Sequence, residues 1–199
     1  MTTGTDTDER RQRRTLLLVL VLNAALFVGL GVAGWLADSS ALLANAVDNA
    51  SDSAVYLISF LAVGRSGLWK VRAARISGIL LLIFAAGVIA DVVRRWLTGA
   101  EPLGPAMMVM ALVAAAVNLW CLFLLKRVRT DDVNMQAAET FSFNDFISNG
   151  GIIVAGGLVL WLGQSWPDLV VGGLVALVAI KGGFEILGNS SDAKGSETD

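Results

Sequence analysis

Histidine is absent from the 199 residues, and cysteine and proline are scarce, at one and three residues. Without imidazole, any cation site in this chain must be built from oxygen ligands. The lone Cys121 cannot form an intrachain disulfide, and we interpret it as a small packing residue. Because the chain also lacks an activated cysteine and a glycine-rich phosphate loop, it shows no catalytic site of the soluble type, and we expect no enzyme.

Long apolar segments dominate what is present. The chain is 55% hydrophobic, with a mean hydropathy of +0.68, which is typical of a polytopic membrane protein. A helical span needs roughly 20 apolar residues. We place six spans at Leu16–Leu36, Ser40–Val63, Ile76–Leu97, Ala106–Leu125, Ala137–Leu162 and Leu169–Leu187.

These spans predict an all-α fold, since they are too long and too continuously apolar for barrel strands. The predicted organisation is an N-terminal segment (1–15), a six-helix transmembrane domain (16–187) and a short polar tail (188–199). We expect Met1–Arg14 to be disordered because it is polar and charged.

Basic residues mark one side of the membrane. They precede the first span and fill the second and fourth loops, at Arg10, Arg11, Arg13, Arg14, Arg65, Lys70, Arg72, Arg75, Lys126, Arg127 and Arg129. With six spans these segments fall on the same side, which the positive-inside rule assigns to the cytoplasm. Both termini are then predicted to be cytoplasmic, and the basic loops give no support for nucleic-acid binding.

Carboxylates inside the spans are the most informative feature. Asn45, Asp48, Asn49 and Asp52 follow the i, i+3, i+4, i+7 spacing of one helical face in the second span. In the fifth span, Asp145 and Asn149 share a face. At about 1.5 Å per residue, the two faces meet near the membrane middle if the helices touch.

Ionisable groups in a span are functional by default, because burying them in lipid is costly. Carboxylates that lie close together repel one another, and a divalent cation relieves that repulsion. When the metal leaves, protons take its place. We therefore predict a metal site formed by Asp48, Asp52 and Asp145, with Asn149 and Asn45 as further oxygen ligands.

Other polar residues in the spans have simpler interpretations. Asn23 and Asn118, each alone in its span, are interpreted as packing or hydrogen-bonding residues. Asp91 is expected to pair with the arginines at 94 and 95. Lys181 either extends its ammonium to the headgroups or pairs with Glu185 one turn on.

The chain resembles the cation diffusion facilitator family through all six spans. The stretch from Asp38 to Asp52, DSSALLANAVDNASD, is similar to the family signature S-x-A-L-L-A-D-A-x-[HD]-x-x-x-D, with Asp48 and Asp52 at its two ligand positions. The fifth span resembles the family's [HD]-x-x-x-D followed by a glycine-containing run, with Asp145 at the ligand position. The resemblance implies alternating access of a metal site between the two sides of the membrane.

Two departures from the family pattern stand out. Phe141 occupies the position of the family's first ligand in the fifth span, and Asn45 replaces an aspartate. An all-oxygen shell favours Mn²⁺ or another hard ion over zinc. Only a short tail follows the sixth span, so the sequence resembles a short form without the family's cytoplasmic metal-binding domain.

The sequence thus predicts a proton-coupled carrier that exports a divalent metal from the cytoplasm. Its substrates would be protons and Zn, Mn, Cd, Fe or Co ions, with no prosthetic group. We expect a bacterial inner-membrane location, contact with lipid and a homodimer formed through the transmembrane helices. The alternative is a non-transporting or partner-dependent membrane subunit whose metal site has degenerated, which the phenylalanine at 141 motivates.

Overall fold

The structure is a computed structural model that describes residues 3–62, 67–128 and 133–195. These residues form six helices in the predicted order. They are α1 (Thr3–Leu36), α2 (Ser40–Ala62), α3 (Gly67–Thr98), α4 (Gly104–Lys126), α5 (Val133–Leu162) and α6 (Trp166–Gly195). All-helical architecture is therefore confirmed for the described ranges.

Five helices extend beyond their apolar windows, and α1, α3 and α6 do so by the most residues. Helix α1 already begins at Thr3, so the expected disorder of the N-terminal segment is wrong for residues 3–14. Helix α3 starts at Gly67 within the expected loop, and α6 continues to Gly195 through the expected tail. Extending an existing helix costs far less than starting one, so polar flanks continue the spans. Arg65 and Arg129 of the basic segments lie outside the described residues.

Helix α2 is the centre of the bundle. The other five helices each contain a segment long and apolar enough to cross a membrane, judged over the described residues. Helix α2 is not among these candidate spans, and polar side chains occupy its middle. It packs against all five other helices, so those neighbours separate its polar face from lipid.

A tight turn joins α1 to α2 and defines what we call the hairpin end of the bundle (Ala37–Ser39). Asp38 adopts φ 53°, a left-handed conformation that aspartate tolerates in turns. The Ser39 hydroxyl accepts a hydrogen bond from the Leu42 amide at 3.2 Å, so Ser39 caps α2.

Asp168 of α6 fixes the position of this helix start. Its carboxylate accepts hydrogen bonds from the Ser39 hydroxyl at 2.6 Å and from the amides of Ser40 at 2.8 Å and Ala41 at 3.1 Å. These bonds satisfy amides that have no partner within α2. They also bring the beginnings of α2 and α6 to the same level.

An ion-pair network closes the same end. Arg95 is 4% exposed and pairs with Asp91 on its own helix and with Asp38 in the turn. Arg94 also pairs with Asp91, at 2.7 Å. The predicted pairing of Asp91 is therefore confirmed, and the network ties α3 to the α1–α2 turn.

Close backbone packing joins α2 to α6 through Gly172. A Cβ atom at this position would lie 2.7 Å from the carbonyl carbon of Ser40 and 2.8 Å from the Ala41 nitrogen. The next residue, Gly173, has nothing within 4 Å of the same atom. Only the first of these neighbouring glycines is required by the packing.

Alanine substitutions at the two glycines should shift stability in opposite directions. Gly172→Ala should lower the free energy of unfolding by roughly 1–3 kcal/mol, because the new methyl group meets backbone that cannot move aside. Gly173→Ala should raise it by up to about 1 kcal/mol through helix propensity. Thermal unfolding in detergent, followed by tryptophan fluorescence, measures both. Equal stabilisation by the two variants would contradict the packing.

Candidate metal centre

Two contacts fix the antiparallel register of α2 and α5. The Asn45 amide donates to Asn149 Oδ1 at 2.8 Å, and the Tyr56 hydroxyl donates to the carbonyl of Ala138 at 3.4 Å. The two contacts are eleven positions apart on each helix. The shared spacing places Asp145 between them, at the level of the α2 carboxylates.

The three predicted carboxylates line one cavity of about 420 Å³ between α2, α5 and α6. Asp52 and Asp145 are 6% and 2% exposed. Asp48 lies one helical turn before Asp52 and lines the same cavity as Asp145. The structure therefore brings Asp48, Asp52 and Asp145 together, while their role as metal ligands stays a prediction.

The two asparagines predicted as ligands are engaged elsewhere. Asn45 and Asn149 bond to each other, and the Asn149 amide also donates to the Asp145 carbonyl at 2.8 Å. Neither lines the cavity. Together they form a contact between α2 and α5, one turn closer to the hairpin end than the carboxylates.

Buried polar atoms without a protein partner form a single group. Within the described ranges there are seven such side-chain atoms. They are Asn23 Oδ1, Asn49 Oδ1, Asp52 Oδ2, Asn118 Oδ1 and Nδ2, Ser142 Oγ and Asp145 Oδ2. We call these six residues the polar layer.

The polar layer lies between two apolar clusters of the α1, α2, α4 and α5 bundle. One cluster, towards the hairpin end, contains Leu26, Ala46, Ala114 and Ile152. The other contains Val19, Tyr56, Cys121 and Ala138. On each of the four helices, the residues of the layer fall between its members of the two clusters.

A buried polar atom without a partner costs roughly 1–3 kcal/mol, and more if it is charged. Atoms of this kind need water, an ion or another polar ligand as their partner. Within the described residues, no three His, Cys, Asp or Glu side chains are arranged to hold a metal directly. The case for a cation site therefore rests on the shared cavity and on the unpartnered oxygens of Asp52 and Asp145.

Sequence reasoning missed part of this layer. Asn118 was interpreted as a packing or hydrogen-bonding residue, yet neither polar atom of its side chain has a protein partner. The Asn23 amide bonds to the Val19 carbonyl at 3.0 Å, but its oxygen has no partner. Asn49 and Ser142 also belong here. The sequence already placed Asn49 on the carboxylate face of α2, whereas Ser142 carried no distinguishing pattern.

Comparison with known proteins shows the family to which the chain belongs. Residues 16–193 match the description "Cation efflux transmembrane domain". The chain belongs to the cation efflux family. This is the cation diffusion facilitator family that the sequence resembles, and the match includes all three carboxylates. The matched domain, the apolar spans and the bacterial relatives together identify an integral inner-membrane protein.

Several bacterial members of the cation efflux family are similar to this chain. Zinc transporter ZitB of Yersinia pestis is 24% identical over 190 residues, which cover 89% of this chain and 61% of that protein. ZitB of Escherichia coli is 25% identical over 201 residues, covering 94% and 64%. The cadmium, cobalt and zinc/H(+)-K(+) antiporter of Bacillus velezensis is 22% identical over 192 residues, covering 89% and 61%. The chain thus spans less than two thirds of the length of these relatives.

Phe141 is the α5 residue that departs from the family pattern described in the sequence. It lies one turn before Asp145 and lines the same cavity. Its ring centroid is 6.3 Å from that of Tyr56. An apolar ring therefore lines the cavity at the position where the sequence resemblance predicts a ligand.

Proposed function

We propose that this chain exports a divalent metal cation from the cytoplasm by alternating access, in exchange for protons. Its carboxylates at positions 48, 52 and 145 are the proposed ligands. The observation that carries the proposal is their position on one cavity between α2 and α5, with two buried carboxylate oxygens that have no protein partner. Membership of a family of cation transporters supports the same conclusion.

The charge of this site explains why it would exchange metal for protons. Two or three ionised carboxylates within one low-dielectric cavity repel one another strongly. Either a divalent cation or protons would relieve that repulsion, and the two would compete for the same oxygens. This competition is what an antiporter requires, and one relative is named an antiporter.

The oxygen ligands of the site determine which cations it would prefer. With no histidine in the chain, the carboxylates would be joined by Asn49, Ser142 or water. Such a shell suits Mn²⁺ and similar hard ions better than zinc. The relatives are named for zinc, cadmium and cobalt, so Zn²⁺, Mn²⁺, Cd²⁺, Fe²⁺ and Co²⁺ are all proposed substrates.

The hairpin end would face outward, with both termini in the cytoplasm. The basic segments support this orientation. Hydrogen bonds and ion pairs at the hairpin end join the α1–α2 turn to α3 and α6, whereas the cavity lies on the other side of the Asn45–Asn149 contact. This arrangement fits the inward-open form of an alternating-access carrier.

A second function is favoured by one observation. Phe141 places an apolar ring where a fourth ligand would lie. If three carboxylates do not hold a cation tightly enough, the chain would act as a non-transporting, partner-dependent membrane subunit. The two proposals differ in whether the isolated protein moves metal.

Neutralising either buried carboxylate should abolish transport. Asp52→Asn and Asp145→Asn keep the side-chain size but remove a charged ligand, so metal-dependent proton flux in proteoliposomes should fall by more than roughly tenfold. Glu101→Gln, which removes an exposed charge outside the cavity, is the control. Wild-type flux that survives both aspartate substitutions would eliminate the site.

Introducing a nitrogen ligand at position 141 should increase the selectivity of uptake for Zn²⁺ over Mn²⁺. Phe141→His places an imidazole on the cavity one turn from Asp145, so the Zn²⁺/Mn²⁺ ratio of uptake rates should rise severalfold. The control is Phe143→His, on the same helix at a position 51% exposed and away from the cavity. If folded wild type and Phe141→His both fail to move any ion, the partner-subunit proposal is favoured.

A further inference from the structure

Helix α6 contributes two charged side chains to the carboxylate cavity. Lys181 and Glu185 line it together with Val178, Gly182 and Ile186. These positions follow the i, i+3, i+4, i+7, i+8 pattern, so they form one continuous stripe of the helix. The carboxylates of α2 and α5 therefore share their cavity with an ammonium and a further carboxylate.

Two contacts between α2 and α6 determine the position of this stripe along the bundle axis. Asp168 bonds to the amides of Ser40 and Ala41, and a Cβ atom built on Gly182 would lie 3.9 Å from Ser51 Oγ. Both helices run away from the hairpin end, so the Cα atom of Lys181 lies at about the level of Asp52. Glu185 lies one helical turn, about 6 Å, further towards the ends that carry the termini.

The two side chains bond only loosely to each other. Lys181 Nζ lies 3.6 Å from a carboxylate oxygen of Glu185, and the side chains are 78% and 63% exposed. Exposed ion pairs of this kind contribute little stability. Charged groups within a span require water or a charged partner. Lys181 and Glu185 can meet both in the cavity, which holds the aspartates and has room for water. Glu185 is therefore not committed to a structural role.

We propose that Glu185 is an entry carboxylate for divalent cations on their way to the aspartates, and that Lys181 is a tethered ammonium that competes with them. This inference rests on the proposed transport function and adds two residues from α6 to it. A cation arriving from the terminal end meets Glu185 first. It must then pass the Lys181 ammonium, which lines the same cavity as the aspartates and repels a cation.

The two charges should have opposite effects on apparent affinity. Mn²⁺ uptake into proteoliposomes is measured for wild type, Glu185→Gln and Lys181→Met, with the maximal rate and KM determined separately. Glu185→Gln should raise KM roughly three- to tenfold, and Lys181→Met should lower it by a similar factor, because each removes one charge near the cation path. Maximal rates should stay within about twofold, as neither residue is a proposed ligand of the bound ion.

The matched control is Glu139→Gln. This residue lies on α5 near the same end of the bundle, and it does not line the cavity, so its neutralisation should leave KM unchanged. Mn²⁺ binding to the detergent-solubilised variants, followed by electron paramagnetic resonance, provides a second readout and should show the same opposite shifts.

The proposal is overturned if both α6 variants keep the wild-type KM, or if both shift KM in the same direction, as loss of a merely structural ion pair would do. A shift as large in Glu139→Gln would also overturn it, since it would reflect surface charge in general. Wild-type uptake with unchanged KM in the variants defeats this inference alone. Absence of uptake by well-folded wild type defeats the transport proposal and this inference with it.

Discussion

A helix with two carboxylates and two asparagines on one face cannot lie against lipid, because each such group is costly in hydrocarbon. Helix α2 is that helix, and the bundle is arranged around it. It contacts all five other helices, and Asp168 of α6 caps its first turn. Close approach at Gly172 brings α6 alongside. The position of every proposed ligand follows from this enclosure.

The bundle is organised in levels from the hairpin end. The first level consists of ion pairs and capping hydrogen bonds. Here Arg95 and Asp168 join helices α2, α3 and α6 to the α1–α2 turn. The Asn45–Asn149 contact forms the next level. The third level, further from the hairpin end, contains the carboxylates and the polar layer. The first two levels are satisfied within the protein, whereas the third contains all seven unpartnered buried atoms of the described residues. That contrast identifies where a ligand would be bound.

Local sequence pattern was sufficient to predict the helices and the carboxylates. Spans are long and apolar, and Asp48, Asp52 and Asp145 stand out against that background without any knowledge of packing. The pairing of Asp91 with its arginines also followed from spacing on one helix. Helix ends were predicted less well, because polar flanks at Thr3 and beyond Gly188 continue helices that the spans have already started.

Features that depend on contacts between helices were not accessible from sequence. Asn45 and Asn149 lie on the predicted faces, but the Asn45 amide donates to Asn149 Oδ1 across the α2–α5 interface. Asn118 looked like an isolated packing residue until its level in the bundle was known. The cap that Asp168 supplies spans more than 120 positions of the chain. Glu185 resembled a partner for Lys181, and only the cavity associates it with the aspartates.

A divalent cation is proposed to bind at the three aspartates of the cavity between α2, α5 and α6. Anomalous diffraction from crystals soaked in Mn²⁺ would locate it. We expect one strong anomalous peak in the cavity, about 2.0–2.6 Å from carboxylate oxygens of Asp48, Asp52 and Asp145. A peak elsewhere in the bundle, with these three carboxylates left uncoordinated, would contradict it.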